Sequence, residues 1–157
     1  MSFQIHALAE KDFQPLFGLS DIELKGLNAR RETVTAKPGV PCRISLSDAE
    51  VGESVILVNY EHQPADSPYR AKHAIYVRNS VRQATPEVGE VPDVIRSRLI
   101  SLRVFDDSHQ MIAAEVTDGA LLSDEIATQF SNPAAAYIHL HFAKPGCFAA
   151  LVTRSES

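Results

Sequence analysis

Residues 137–142 read Tyr-Ile-His-Leu-His-Phe, an unbroken alternation that a helix cannot place on one face. As a strand, the segment sets Ile138, Leu140 and Phe142 on one side and Tyr137, His139 and His141 on the other. A chain with such a segment must build a sheet. One face of that sheet is hydrocarbon and the other carries two imidazoles.

Further strand-sized segments surround it. Residues 32–36, 42–46, 55–60, 73–78, 111–116 and 148–152 are predicted as strands, and 55–60 is apolar on both faces, as in a central strand. Residues 99–105 fit either a strand or the continuation of a helix begun at Pro92. Ser20 with Glu23 makes a capping box, and Leu19 with Leu24 occupies the staple positions, so a short helix is expected over 21–28. One helical turn is expected around Pro15. Asp118 can cap a helix in which Leu122, Ile126 and Phe130 recur at helical spacing, ended by Asn132-Pro133. The interleaving is not strict βαβ. It predicts an α+β single domain over 1–157, with a mixed or mostly antiparallel sheet of about seven strands and two or three short helices. Residues 85–90 are the one linker-like stretch, and 154–157 read as a short polar tail.

Composition limits the function classes. With 157 residues, 45% of them hydrophobic, the chain can bury a core of its own. A net charge of −5 disfavours a nucleic-acid surface. The acidity is local, because residues 104–143 hold six acids and no lysine or arginine, so a small anionic ligand elsewhere remains compatible. The N-terminus lacks the charged and apolar regions of a secretory signal, and no window has the length of a membrane span. A cytoplasmic location is expected, with Cys42 and Cys147 as thiols. No membrane or nucleic-acid partner is expected, and oligomeric state is left open.

Four features could carry chemistry. Ala36-Lys37-Pro38-Gly39 recurs as Ala143-Lys144-Pro145-Gly146, each copy followed by a cysteine, and Pro-Gly fits the centre of a type II turn that would launch a strand. His139 and His141 share a strand face and could grip a metal. Zinc would need further ligands from His62, Glu61 or Cys42, and without them the histidines belong to a polar sheet face. Cys147 could act as a nucleophile, its thiolate favoured by His139, His141 and Lys144; against this, Phe148-Ala149-Ala150 follows and cysteine is commonly buried. The stretch 59–73, rich in Tyr, His, acids and bases, reads as a binding loop in which Glu61 or Asp66 could equally lock Arg70.

Pro41-Cys42-Arg43, Leu57-Val58-Asn59-Tyr60-Glu61-His62, Asp66-Ser67-Pro68-Tyr69-Arg70, His73-Ala74-Ile75-Tyr76-Val77-Arg78 and Ala143-Lys144-Pro145-Gly146-Cys147 together resemble a bacterial family, domain of unknown function 1203. The resemblance runs in order from the Pro15-Leu16-Phe17 region to Cys147. It implies a single-domain bacterial protein of about this length and brings no activity or site residue with it.

The residues themselves favour a domain that binds a small polar or anionic ligand through Arg43, His62, Arg70, His141 and Lys144. The alternatives are an enzyme using a His139/His141 metal site or the Cys147 thiol, and an interaction module without a small-molecule site. No cofactor is expected on the leading reading; zinc belongs to the alternative.

Overall fold

The computed structural model describes residues 2–156. In chain order the elements are β1 (Ser2–His6), α1 (Asp21–Gly26), β2 (Ala29–Thr33), β3 (Ser54–Gln63), β4 (Ala71–Arg78), α2 (Asp93–Arg96), β5 (Leu99–Phe105), β6 (Met111–Asp118), α3 (Leu122–Phe130), β7 (Tyr137–Phe142) and β8 (Phe148–Ser155). Every strand pair is antiparallel, and the strands form two sheets rather than one. The larger has the order β1-β8-β7-β5-β6 and the smaller β2-β3-β4. The fold is α+β.

Alternation decides what each face meets. Ile5, Ile100, Leu102, Ile138 and Leu140 of the larger sheet are wholly buried against Ile95 of α2 and Leu122 and Ile126 of α3. Burying side chains of this size contributes roughly 1.5–3 kcal/mol each. The opposite face of that sheet takes the smaller sheet, whose Ile56, Val58, Ile75 and Val77 pack with Phe148. Functional side chains therefore have one place to gather: the seam between the sheets.

Local signals hold where they are chemically complete. Ser20 accepts from the Glu23 amide and Glu23 from the Ser20 amide, which is the expected capping box, although α1 stops at Gly26. A 3-10 turn covers Gln14–Gly18, and Asp118 caps another, Gly119–Leu121, that leads into α3. Residues 99–105 are a strand, and α2 is a single turn before it.

Other expectations are corrected. The 32–36 strand lies earlier, at Ala29–Thr33. Residues 42–46 form no strand; isolated bridges tie Pro41 to Asp48 and Cys42 to Tyr76, and the chain reverses through Leu46 at φ 49. The two Ala-Lys-Pro-Gly copies differ: Gly146 has φ 83 and launches β8, whereas Lys37–Pro38 is cis and Gly39 has no positive φ. Most of the supposed 59–73 loop is strand, because β3 runs to Gln63 and β4 starts at Ala71. Residues 85–90 are tied to β1, Gln4 donating to the Pro86 carbonyl and the Gly89 amide to that of Phe3. The polar end is strand as far as Ser155, where Arg154 donates to the Ala135 carbonyl.

Candidate metal centre

Two β-bulges shape the seam. Glu61 pairs with Lys72 and Gln63 with Ala71, so His62 is the extra residue of β3. On the other sheet Leu140 pairs with Ala150 but His141 with Phe148, which makes Ala149 the extra residue of β8. Without that insertion Phe148 would share the helix-facing side with Ala150; with it, Phe148 stands beside His141. Bulges re-aim side chains in this way.

The outcome is a cluster of four imidazoles, His62 and His73 from the smaller sheet and His139 and His141 from the larger. His62 is sandwiched between His73 (centroids 4.7 Å, planes 9° apart) and Phe148 (5.1 Å, 8°). His141 meets His62 edge-on at 5.0 Å and His73 at 5.2 Å. His139 lies 5.6 Å from His62 and is packed by Phe105 and Tyr137. One ring nitrogen from each of His62, His73 and His141 falls within 4.8 Å of the other two.

Hydrogen bonding shows which nitrogens are free. His141 Nδ1 donates to the Gly146 carbonyl at 3.1 Å, leaving Nε2 as a buried lone pair without a partner. His73 Nδ1 and His62 Nε2 share one hydrogen at 2.7 Å, so His62 Nδ1 is unpartnered whichever ring donates. His139 Nδ1 is unpartnered as well. Among the described residues these three are the only buried side-chain nitrogens or oxygens without a partner. Each such atom costs about 1–3 kcal/mol. Two of the three, on His62 and His141, belong to rings of the triad; His139 lies beside it.

Burial pushes His62 down to about 3, His139 to about 4 and His141 to about 2, with the Arg103 guanidinium acting in the same direction on all three. His73 is lowered too, by burial first and then by Arg103. All four rings are neutral at pH 7, the protonation state that binds metal. The Nδ1–H···O=C contact of His141 is the orienting bond that metal-ligating histidines use. A tetrahedral ion with Zn–N bonds of 2.0–2.1 Å holds its ligand nitrogens about 3.3 Å apart. The widest separation, at most 4.8 Å, must close. Shifts of roughly 1.5 Å or less suffice, and half-buried His73 has room to make them.

Of the metal candidates read from sequence, His141 is in the triad and His139 adjoins it. His62, one of the three further ligands the zinc alternative offered, is in the triad. Glu61 is engaged by Arg70, and Cys42 accepts amides of Ile44, Ser45 and Arg78. The third member of the triad, His73, lies both at the start of the predicted 73–78 strand and at the end of the predicted 59–73 binding loop and was not among the metal candidates. Its signal is its place in the alternation with Ile75 and Val77, which puts it on the buried face of β4.

The five residues of the expected anion site do not converge as free donors. Arg43 is 1% exposed and donates to the Phe148 and Pro41 carbonyls and to Cys147 Sγ, so it braces the turn instead of awaiting a ligand. Arg70 is exposed on Glu61. Lys144 lines a separate cavity of about 420 Å³ with Arg98 and Phe142. Cys147 is a free, half-buried thiol whose hydrogen-bond partner is Arg43, not a histidine. Two cavities reach the cluster. One of about 620 Å³ opens onto His62 and His139, and one of about 330 Å³ onto His73 beside Cys147.

A family model described as Protein of unknown function (DUF1203) matches residues 39–154, a span that holds all four histidines of the cluster. Neither the curated proteins nor the solved structures contain a match to the chain. The chain belongs to the DUF1203 family.

Proposed function

We propose that this DUF1203 protein binds a divalent transition metal of the zinc class through His62, His73 and His141, with a coordination position left open. The supporting observation is the clustering of three neutral imidazoles with ring nitrogens within 4.8 Å of one another, of which buried His62 and His141 each carry an unpartnered nitrogen and His141 is oriented by the Gly146 carbonyl. All-imidazole donors suit zinc, cobalt, nickel, copper or ferrous iron and do not suit calcium or magnesium. Three protein ligands with a fourth position open is the arrangement of catalytic zinc sites, where the ion activates a bound water. A cytoplasmic setting goes with this reading, supported by two free cysteines.

The test is titration of chelator-stripped protein with cobalt(II), followed by its visible spectrum, and with zinc, followed by elemental analysis. One ion per chain is expected, with affinity reduced roughly 100-fold by His73→Ala and unchanged by His109→Ala, a residue outside the triad. Absence of a tetrahedral cobalt spectrum, or equal affinity in His73→Ala, refutes the reading.

A further inference from the structure

Arg103 of β5 pairs with His139 of β7, so the two side chains leave the same face of the larger sheet as direct neighbours. Next to β5 on its other side, β6 sets Ala114 opposite Arg103, a side chain too small to cover it. The guanidinium is partly buried, and desolvation lowers its basicity. Among the described residues it forms no hydrogen bond and no ion pair. Every other arginine that is at least partly buried is held. Arg31 is on Asp21, Arg43 on two carbonyls, Arg78 on Glu53, Arg98 on Asp48 and Arg154 on the Ala135 carbonyl. Among the at least partly buried arginines of the described residues, Arg103 alone has its donors unpartnered, and it lies beside the four imidazoles.

The charge balance sharpens the point. No carboxylate hydrogen-bonds or ion-pairs with any of the four rings or with Arg103 among the described residues. A divalent ion on three neutral imidazoles next to a guanidinium is a concentration of positive charge that has left bulk water. Such charge needs a counter-ion within the site. Arginine offers a planar fork that matches the oxygens of a carboxylate or phosphate.

We propose that Arg103 and the ion held by His62, His73 and His141 form a two-point site for an oxyanionic ligand, a carboxylate or a phosphoryl group. This rests on the metal reading above. One oxygen of the ligand takes the open coordination position and the guanidinium fork takes another. Metal and anion bind with positive coupling, each raising the affinity for the other by the same factor.

Calorimetric titration of zinc-loaded protein with benzoate and, separately, with phenylphosphonate tests the site and distinguishes the two ligand sources. At least one of the two is expected to bind, and roughly tenfold or more weakly to metal-stripped protein. Arg103→Met is expected to keep one zinc per chain and lose roughly tenfold or more in anion affinity. Arg103→Lys keeps the charge without the fork and should fall between; it also serves if the methionine variant does not fold. The proposal is overturned while the metal reading stands if zinc binds but neither anion does, or if Arg103→Met and Arg103→Lys bind anions like the parent. Failure of the parent protein to bind zinc overturns both, and elemental analysis of the same samples identifies that case.

Discussion

Lowering the pH of the metal-free protein from 7 to 5 should remove a large part of its stability, and the histidine cluster sets the amount. In the unfolded chain His62, His139 and His141 titrate near 6.5, whereas folded they titrate near 3, 4 and 2. Between those values only the unfolded chain takes up the protons. Stability is therefore complete above about pH 6.5 and declines as the pH falls below it. At pH 5 each ring contributes about 2 kcal/mol of destabilisation, and the three together about 6 kcal/mol. A typical domain has only about 5–15 kcal/mol in total. Carboxylates do not confuse the window: Glu53, held down by its hydrogen bond to Arg78, loses its share only as the pH falls below its ordinary 4.5. Urea denaturation at pH 7 and pH 5 with chelator present measures the difference from the midpoints. A change under about 1 kcal/mol would mean that the rings accept protons in the folded state, and the burial argument would fail. Ring-proton NMR offers a direct check, since all three should be unprotonated at pH 5.

Other outcomes follow from single contacts. Gly119→Ala should cost about 3 kcal/mol or more, measured by chemical denaturation. A Cβ there would lie 2.2 Å from the Ile95 carbonyl oxygen and 2.6 Å from that of Arg96, both backbone atoms. Arg43→Met should cost about 2–3 kcal/mol in the same assay, because it strips the donors from the Phe148 and Pro41 carbonyls. Ser20→Ala, which removes the acceptor for the Glu23 amide, should cost about 1 kcal/mol. Saturating zinc should raise the thermal midpoint of the parent protein, and a chelator should reverse the shift; no shift at a hundredfold excess would count against the metal site.

Several features of this fold are written locally. The Ser20–Glu23 box and the helical spacing of Leu122, Ile126 and Phe130 are short-range patterns, and each appears in the structure where its residues place it. The two faces of β7 were legible for the same reason, since strand alternation follows from backbone geometry alone. Residues 42–46 misled because a short run with buried side chains reads like a strand. Here Cys42 and Ile44 are buried by a chain reversal, and Arg43 is turned inward onto carbonyls. The stretch 59–73 misled the other way. Its polar composition resembled a loop, but its histidines point into the seam between two sheets.

The alternation Tyr-Ile-His-Leu-His-Phe thus determined by itself that His139 and His141 would share a face opposite a hydrocarbon one. It could not say what covers that face. Only the tertiary structure decided that β3 and β4 bring His62 and His73 against it and that strand order sets Arg103 next to His139. A bulge at Ala149 then turned Phe148 into the cluster, whereas His62 follows the alternation of Ile56, Val58 and Tyr60. The physical reason is range. Side-chain alternation is fixed within a few bonds, whereas register, bulges and sheet packing arise from contacts between residues far apart in the chain.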